Sequence, residues 1–85
     1  MTKIQFFEQI KAIISDQTNV PYSEIELSSE PSKFSTWDSL ANTMIYLEII
    51  NSINSGISFE EYLECENVGE LVNAVLMASK KEVND

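Results

Sequence analysis

An 85-residue chain has room for one domain (1–85) around a single modest core, and its 44% apolar content with only two glycines and two prolines argues against a disordered or loop-rich polypeptide. Fourteen Asp and Glu against five Lys and Arg give a net charge of −9, which repels phosphate backbones and anionic lipid, so neither nucleic-acid binding nor membrane insertion is expected and basic protein surfaces are the natural complement. No apolar run reaches bilayer length, the first residues lack a signal-peptide pattern, and the single Cys65 has no partner for an internal disulfide, so the expectation is a cytoplasmic monomer.

Residues 3–17 carry apolar side chains at helical steps, Ile4, Phe7, Ile10 and Ile14, with Phe6 and Ile13 widening the stripe and Thr2 placed to cap. The stretch 18–37, with Pro21, Pro31 and several serines, reads as a long connection in which Val20, Ile25 and Leu27 are expected to anchor on the core. A loop of that length in so small a domain is a place for function.

A second helix is expected from Asp38, as N-cap, to about Ile53, with an inward stripe of Leu40, Met44, Leu47 and Ile50 and either Ile49 or Ile53. The string Ser58-Phe59-Glu60-Glu61 has the form of a capping box and opens a short third helix to about Cys65. Asn67-Val68-Gly69-Glu70 repeats the capping pattern before a fourth helix that turns Val68, Leu71, Val72, Val75 and Leu76 inward, and the polar end 79–85 is expected to fray.

Histidine is absent, so no Ser-His or Cys-His pair can be assembled, and one cysteine without histidine excludes the usual zinc sites. Cys65 has no basic neighbour in sequence to activate it and reads as a small buried residue. The run Gly56 to Tyr62 has the sound of an EF-hand loop, but either register loses a primary carboxylate ligand. The chain is therefore expected to have no catalytic residues and no metal site.

What remains is Trp37-Asp38-Ser39-Leu40 where the long loop meets the second helix. Asp38-Ser39-Leu40 resembles the phosphopantetheine attachment motif of the acyl and peptidyl carrier protein family. The likeness extends along nearly the whole chain, since the family shares the order of first helix, long loop, motif, short third helix and fourth helix. Leu40, Met44 or Ile45, Leu47, Ile53 and Ile57 match the apolar rhythm of its second helix and following turn, and Asn67-Val68-Gly69-Glu70-Leu71 is similar to the opening of its fourth.

The resemblance implies an all-α, four-helix bundle of acyl-carrier type and a 4'-phosphopantetheine covalently attached to Ser39, with Asp38 and Leu40 completing the attachment site. It implies a non-enzymatic shuttle for an acyl thioester. Expected partners are a phosphopantetheinyl transferase, an acyl or aminoacyl ligase, and acyltransferase or synthase enzymes. An aminoacyl, D-alanyl or peptidyl carrier and an unmodified, carrier-like interaction adaptor stay open as alternatives.

Trp37 stands where the family commonly has glycine, and it is read as a loop anchor, with packing under the arm or on a partner as the alternative. Glu48 is the only acid of the second helix after Asp38, whereas fatty-acid carriers are rich in glutamate there, which points away from a housekeeping role and toward a specialised biosynthetic pathway. No lysine occurs between Phe34 and Ser79, while Glu60, Glu61, Glu64, Glu66 and Glu70 crowd the third helix and the start of the fourth. Glu60, Glu61 and Glu64 accordingly have two readings that stay open, a solvated face of well-capped helices or a docking face for a basic partner alongside Leu40, Met44 and Glu48 of the second helix.

Overall fold

A computed structural model describes the backbone of residues 2–83 and the side chains of residues 2–78. It is all-helical among those residues: α1 (Lys3–Thr18), α2 (Ser39–Ile53), α3 (Phe59–Glu64) and α4 (Val68–Val83), with 3-10 turns at Tyr22–Glu24 and Pro31–Lys33 inside the long loop. None of the described helices is long and apolar enough to cross a membrane. α1 packs on both α2 and α4, and α3 closes over α4. The expected frayed end, 79–85, lies outside the described residues apart from the α4 backbone, which runs to Val83.

Each helix starts where a side chain can accept its free N–H groups. Thr2 and Gln5 exchange hydrogen bonds in a capping box at α1, and Ser58 and Glu61 do the same at α3. At α4 the Asn67 Oδ1 accepts from the Glu70 N–H, and Glu70 reaches back to the Glu66 N–H. α1 and α2 both end on an asparagine in the left-handed region, Asn19 at φ 63° and Asn54 at φ 57°, a conformation that asparagine tolerates better than most residues. The Thr18 hydroxyl donates to the Ile14 carbonyl and accepts from Val20, which fixes the exit from α1.

The core joins Phe6, Ile10, Ile13 and Ile14 of α1 to Ile45 and Ile49 of α2 and to Val68, Leu71, Val72 and Val75 of α4. The α4 stripe is as expected, with Leu76 partly buried. Two expectations are corrected. Ile4 is exposed, because six residues before Ile10 place it about 120° around the helix from the core centre. α2 is rotated about 100° from the expected face: Ala41, Ile45 and Ile49 are buried, while Leu40, Met44 and Leu47 lie 70%, 41% and 45% exposed and Ile50 is only partly covered. Apolar residues occupy most of the circumference of α2, so its periodicity supports two adjacent stripes. The stripe with the small Ala41 and the two β-branched isoleucines is the one that packs.

The long loop is held at both ends of its course. Val20 and Ile25 are buried as expected, but the Leu27 side chain is 44% exposed. Its contribution is instead its backbone. The Leu27 carbonyl accepts from the Gly69 N–H at 2.7 Å and the Ser29 carbonyl from the Val68 N–H at 3.0 Å, so the loop supplies acceptors to the first turn of α4. A side chain at position 69 would bring its Cβ to 3.1 Å from the Leu27 oxygen, tight enough that the loop would have to give way slightly, so glycine suits this close approach.

The rotation of α2 has a direct measure. Ile45→Ala or Ile49→Ala should cost roughly 2–5 kcal/mol in denaturant unfolding, whereas Leu47→Ala should stay within about 0.5 kcal/mol of the parent.

Candidate functional site

The site forms where the loop ends and α2 begins. Trp37 is buried, its N–H bonds the Phe34 carbonyl and its ring lies 6.2 Å from that of Phe34, as expected of a loop anchor. Asp38 follows in extended conformation, and its Oδ1 accepts from the Ala41 N–H at 2.8 Å. Between Trp37 and Asn42 the chain therefore has a fixed course, and Ser39 and Leu40 project from it exposed. The N–H groups of Ser39 and Leu40 meet no backbone or side-chain acceptor among the described residues, leaving a helix N-terminus open to an anionic group.

A polar node secures this turn. The Trp37 Nε1–H donates to Asn42 Oδ1 at 3.0 Å, and the Tyr62 hydroxyl, brought from α3, meets the same oxygen at 2.6 Å and the Asn42 carbonyl at 3.1 Å. Tyr62 is buried, and burial with the neighbouring Cys65 thiol pushes its phenol up, so it remains protonated and able to donate. Tyr46 of α2 packs its ring 4.9 Å from Phe59 and 5.3 Å from Tyr62, and its hydroxyl donates to the Ile57 carbonyl. α3 is thus joined to α2 by three aromatic rings and one amide.

Beside the node is a cavity of about 230 Å³, bounded by Pro31, Trp37, Asn42, Leu63, Cys65 and the N-terminus of α4. Cys65 is only partly buried, in contrast with the expectation, and its thiol donates weakly to the Glu61 carbonyl. Burial first, then the carboxylates of Glu70, Glu61 and Glu64, push this thiol up and disfavour its thiolate.

The residues expected to meet partners divide. Leu40, Met44 and Leu47 form one exposed stripe on α2, and Phe59 and Leu63 are exposed on α3. Glu60 and Glu64 are exposed acids, whereas the Glu61 carboxylate is engaged as the cap of its own helix and Glu48 accepts from the Ser52 hydroxyl. No cluster of three potential metal-ligating side chains occurs among the described residues. Sequence reasoning passed over Asn42 and Tyr62. A mid-turn asparagine in an apolar helix is the available signal, but its partner lies twenty residues away.

No family model and no curated protein matches the chain.

Asn42→Ala should strand the Trp37 indole N–H and leave the Tyr62 hydroxyl only the backbone carbonyl of residue 42 as acceptor. A loss of about 1–3 kcal/mol in denaturant unfolding is expected, with a change in Trp37 fluorescence that Asn51→Ala, at an exposed position of the same helix, does not produce.

Proposed function

We propose that the chain is a carrier protein in which Ser39 bears a phosphopantetheine arm and an acyl group travels on that arm within a specialised biosynthetic pathway. The observation that carries this reading is the exposed Ser39 hydroxyl, held at the mouth of a long helix between two anchored residues. When bound, the group supplies a terminal thiol that holds the cargo as a thioester.

The residues present fit such a group. The Ser39 side chain is accessible to another enzyme, and the N–H groups of Ser39 and Leu40 are available to a phosphodiester. Asp38 is occupied in capping, and no histidine or other base stands by to activate the serine. Activation therefore belongs to a phosphopantetheinyl transferase, and the chain supplies position and address. Leu40, Met44 and Leu47 give partner enzymes an apolar strip beside the serine, and the lysine-free stretch around it keeps the local field negative.

Incubation with coenzyme A and a phosphopantetheinyl transferase should add one arm to the parent protein and none to Ser39→Ala, read by intact mass. Circular dichroism of the variant should be unchanged because the position is exposed. An unmodified parent protein would leave the adaptor reading in possession.

The acids of α3 carry a second test. Glu60→Gln with Glu64→Gln, which leaves the Glu61 cap intact, should slow modification on the order of threefold at low salt. Glu48→Gln should slow it less, and the difference should shrink as ionic strength rises. Equal rates at low salt would assign these acids to a merely solvated face.

A further inference from the structure

The Ser39 side chain is exposed, so its place is set by the turn that carries it. Two hydrogen bonds of that turn are local: Asp38 Oδ1 accepts from the Ala41 N–H at 2.8 Å, and the Asp38 carbonyl from the Asn42 N–H at 2.9 Å. Any helix opened by an aspartate has such bonds, and they say nothing of where the turn lies in the fold. The bond from the Trp37 Nε1–H to Asn42 Oδ1 at 3.0 Å is different, because it runs between side chains and encloses Asp38, Ser39, Leu40 and Ala41. The Tyr62 hydroxyl donates to the same oxygen at 2.6 Å and so ties the enclosed turn to α3.

The chemistry of this junction is narrow. An indole N–H only donates, and burial keeps the Tyr62 phenol protonated and able to donate, so the atom facing both is the Asn42 oxygen with its two lone pairs. Position 42 therefore requires a double acceptor, and the amide hydrogens take no part. The other end of the tie is equally placed for a purpose. Phe59, Glu60, Leu63 and Glu64 are exposed on α3, each within three residues of Tyr62. An enzyme that docks on them while reacting at Ser39 needs the two at a constant separation, since a displacement on the order of 1 Å can slow a positioned reaction about a hundredfold.

We propose that Asn42 is a positioning residue for arm attachment: through Trp37 and Tyr62 it fixes the Ser39 turn against α3, so that an enzyme docked on α3 finds the hydroxyl at a set offset. The assignment rests on the carrier reading above. It makes the asparagine side chain, which touches neither the serine nor the exposed docking residues, a determinant of the transfer rate.

The test is single-turnover attachment, with a phosphopantetheinyl transferase in excess, coenzyme A saturating and intact mass confirming the product. Loss of position and loss of folded protein leave different marks. A misplaced serine beside an intact docking surface lowers the maximal rate at a near-constant half-saturating transferase concentration, whereas partial unfolding raises that concentration and leaves the maximal rate unchanged. Asn42→Leu, which keeps the bulk and removes the acceptor, should lower the maximal rate on the order of tenfold. Asn42→Asp, whose carboxylate accepts from both donors, should stay within about twofold of the parent at high ionic strength, where its added charge is screened. Tyr62→Phe should also lower the maximal rate. Tyr46→Phe, which removes a hydroxyl bonded to the Ile57 carbonyl and not to the turn, should leave it unchanged. Should Asn42→Leu fail to fold, the comparison of Tyr62→Phe with Tyr46→Phe decides. Parent-like maximal rates in Asn42→Leu and Tyr62→Phe, equal losses in Tyr62→Phe and Tyr46→Phe, or no rescue by Asn42→Asp overturn the positioning role and leave the carrier reading standing. Absence of any arm on the parent protein overturns the carrier reading, and this assignment with it.

Discussion

The side-chain amide of Asn42 is where three parts of the chain meet. Its oxygen receives the Trp37 indole from the end of the loop and the Tyr62 hydroxyl from α3, while its own backbone forms the first turn of α2. Each such hydrogen bond contributes on the order of 1 kcal/mol net, but breaking them leaves polar groups stranded, which costs more. A six-residue helix such as α3 cannot stand on propensity, so its position depends on this node and on the aromatic contacts of Tyr46 with Phe59 and Tyr62.

The loop answers a second constraint. A long connection across a small domain must satisfy its own backbone groups, and here it does so by lending the Leu27 and Ser29 carbonyls to the first turn of α4. Gly69 eases the approach, since a Cβ there would crowd the Leu27 oxygen at 3.1 Å. With Val20 and Ile25 buried behind it and Trp37 buried ahead, the loop is fixed along its course and delivers Asp38 and Ser39 in one geometry. Under the carrier reading, that support is what a serine presented to a separate enzyme would need.

The rotation of α2 bears on function as well as packing. With Ala41, Ile45 and Ile49 spent on the core, Leu40, Met44 and Leu47 are left on the surface next to Ser39. On α3 the acids are not equivalent: Glu61 is engaged in the cap, whereas Glu60 and Glu64 lie on the surface. Under the carrier reading, apolar contact would come from α2 and charge from α3, a division that fits a second helix with so few acids.

Helix number, order and starting points were legible in the sequence because caps act locally: Thr2, Asp38, Ser58 and Asn67 each serve N–H groups within three residues, and the α4 stripe has only one apolar face to bury. The start of α2 at Ser39 behind its Asp38 cap was legible for the same reason. Which face of α2 turns inward was not, since its apolar residues spread over two adjacent stripes and only the shape of α1 against Ala41, Ile45 and Ile49 decides between them. The exposure of Ile4, the backbone role of Leu27 and the node at Asn42 share that dependence. Each is set by a contact between segments distant in sequence, and local pattern carries no information about which distant group will be there.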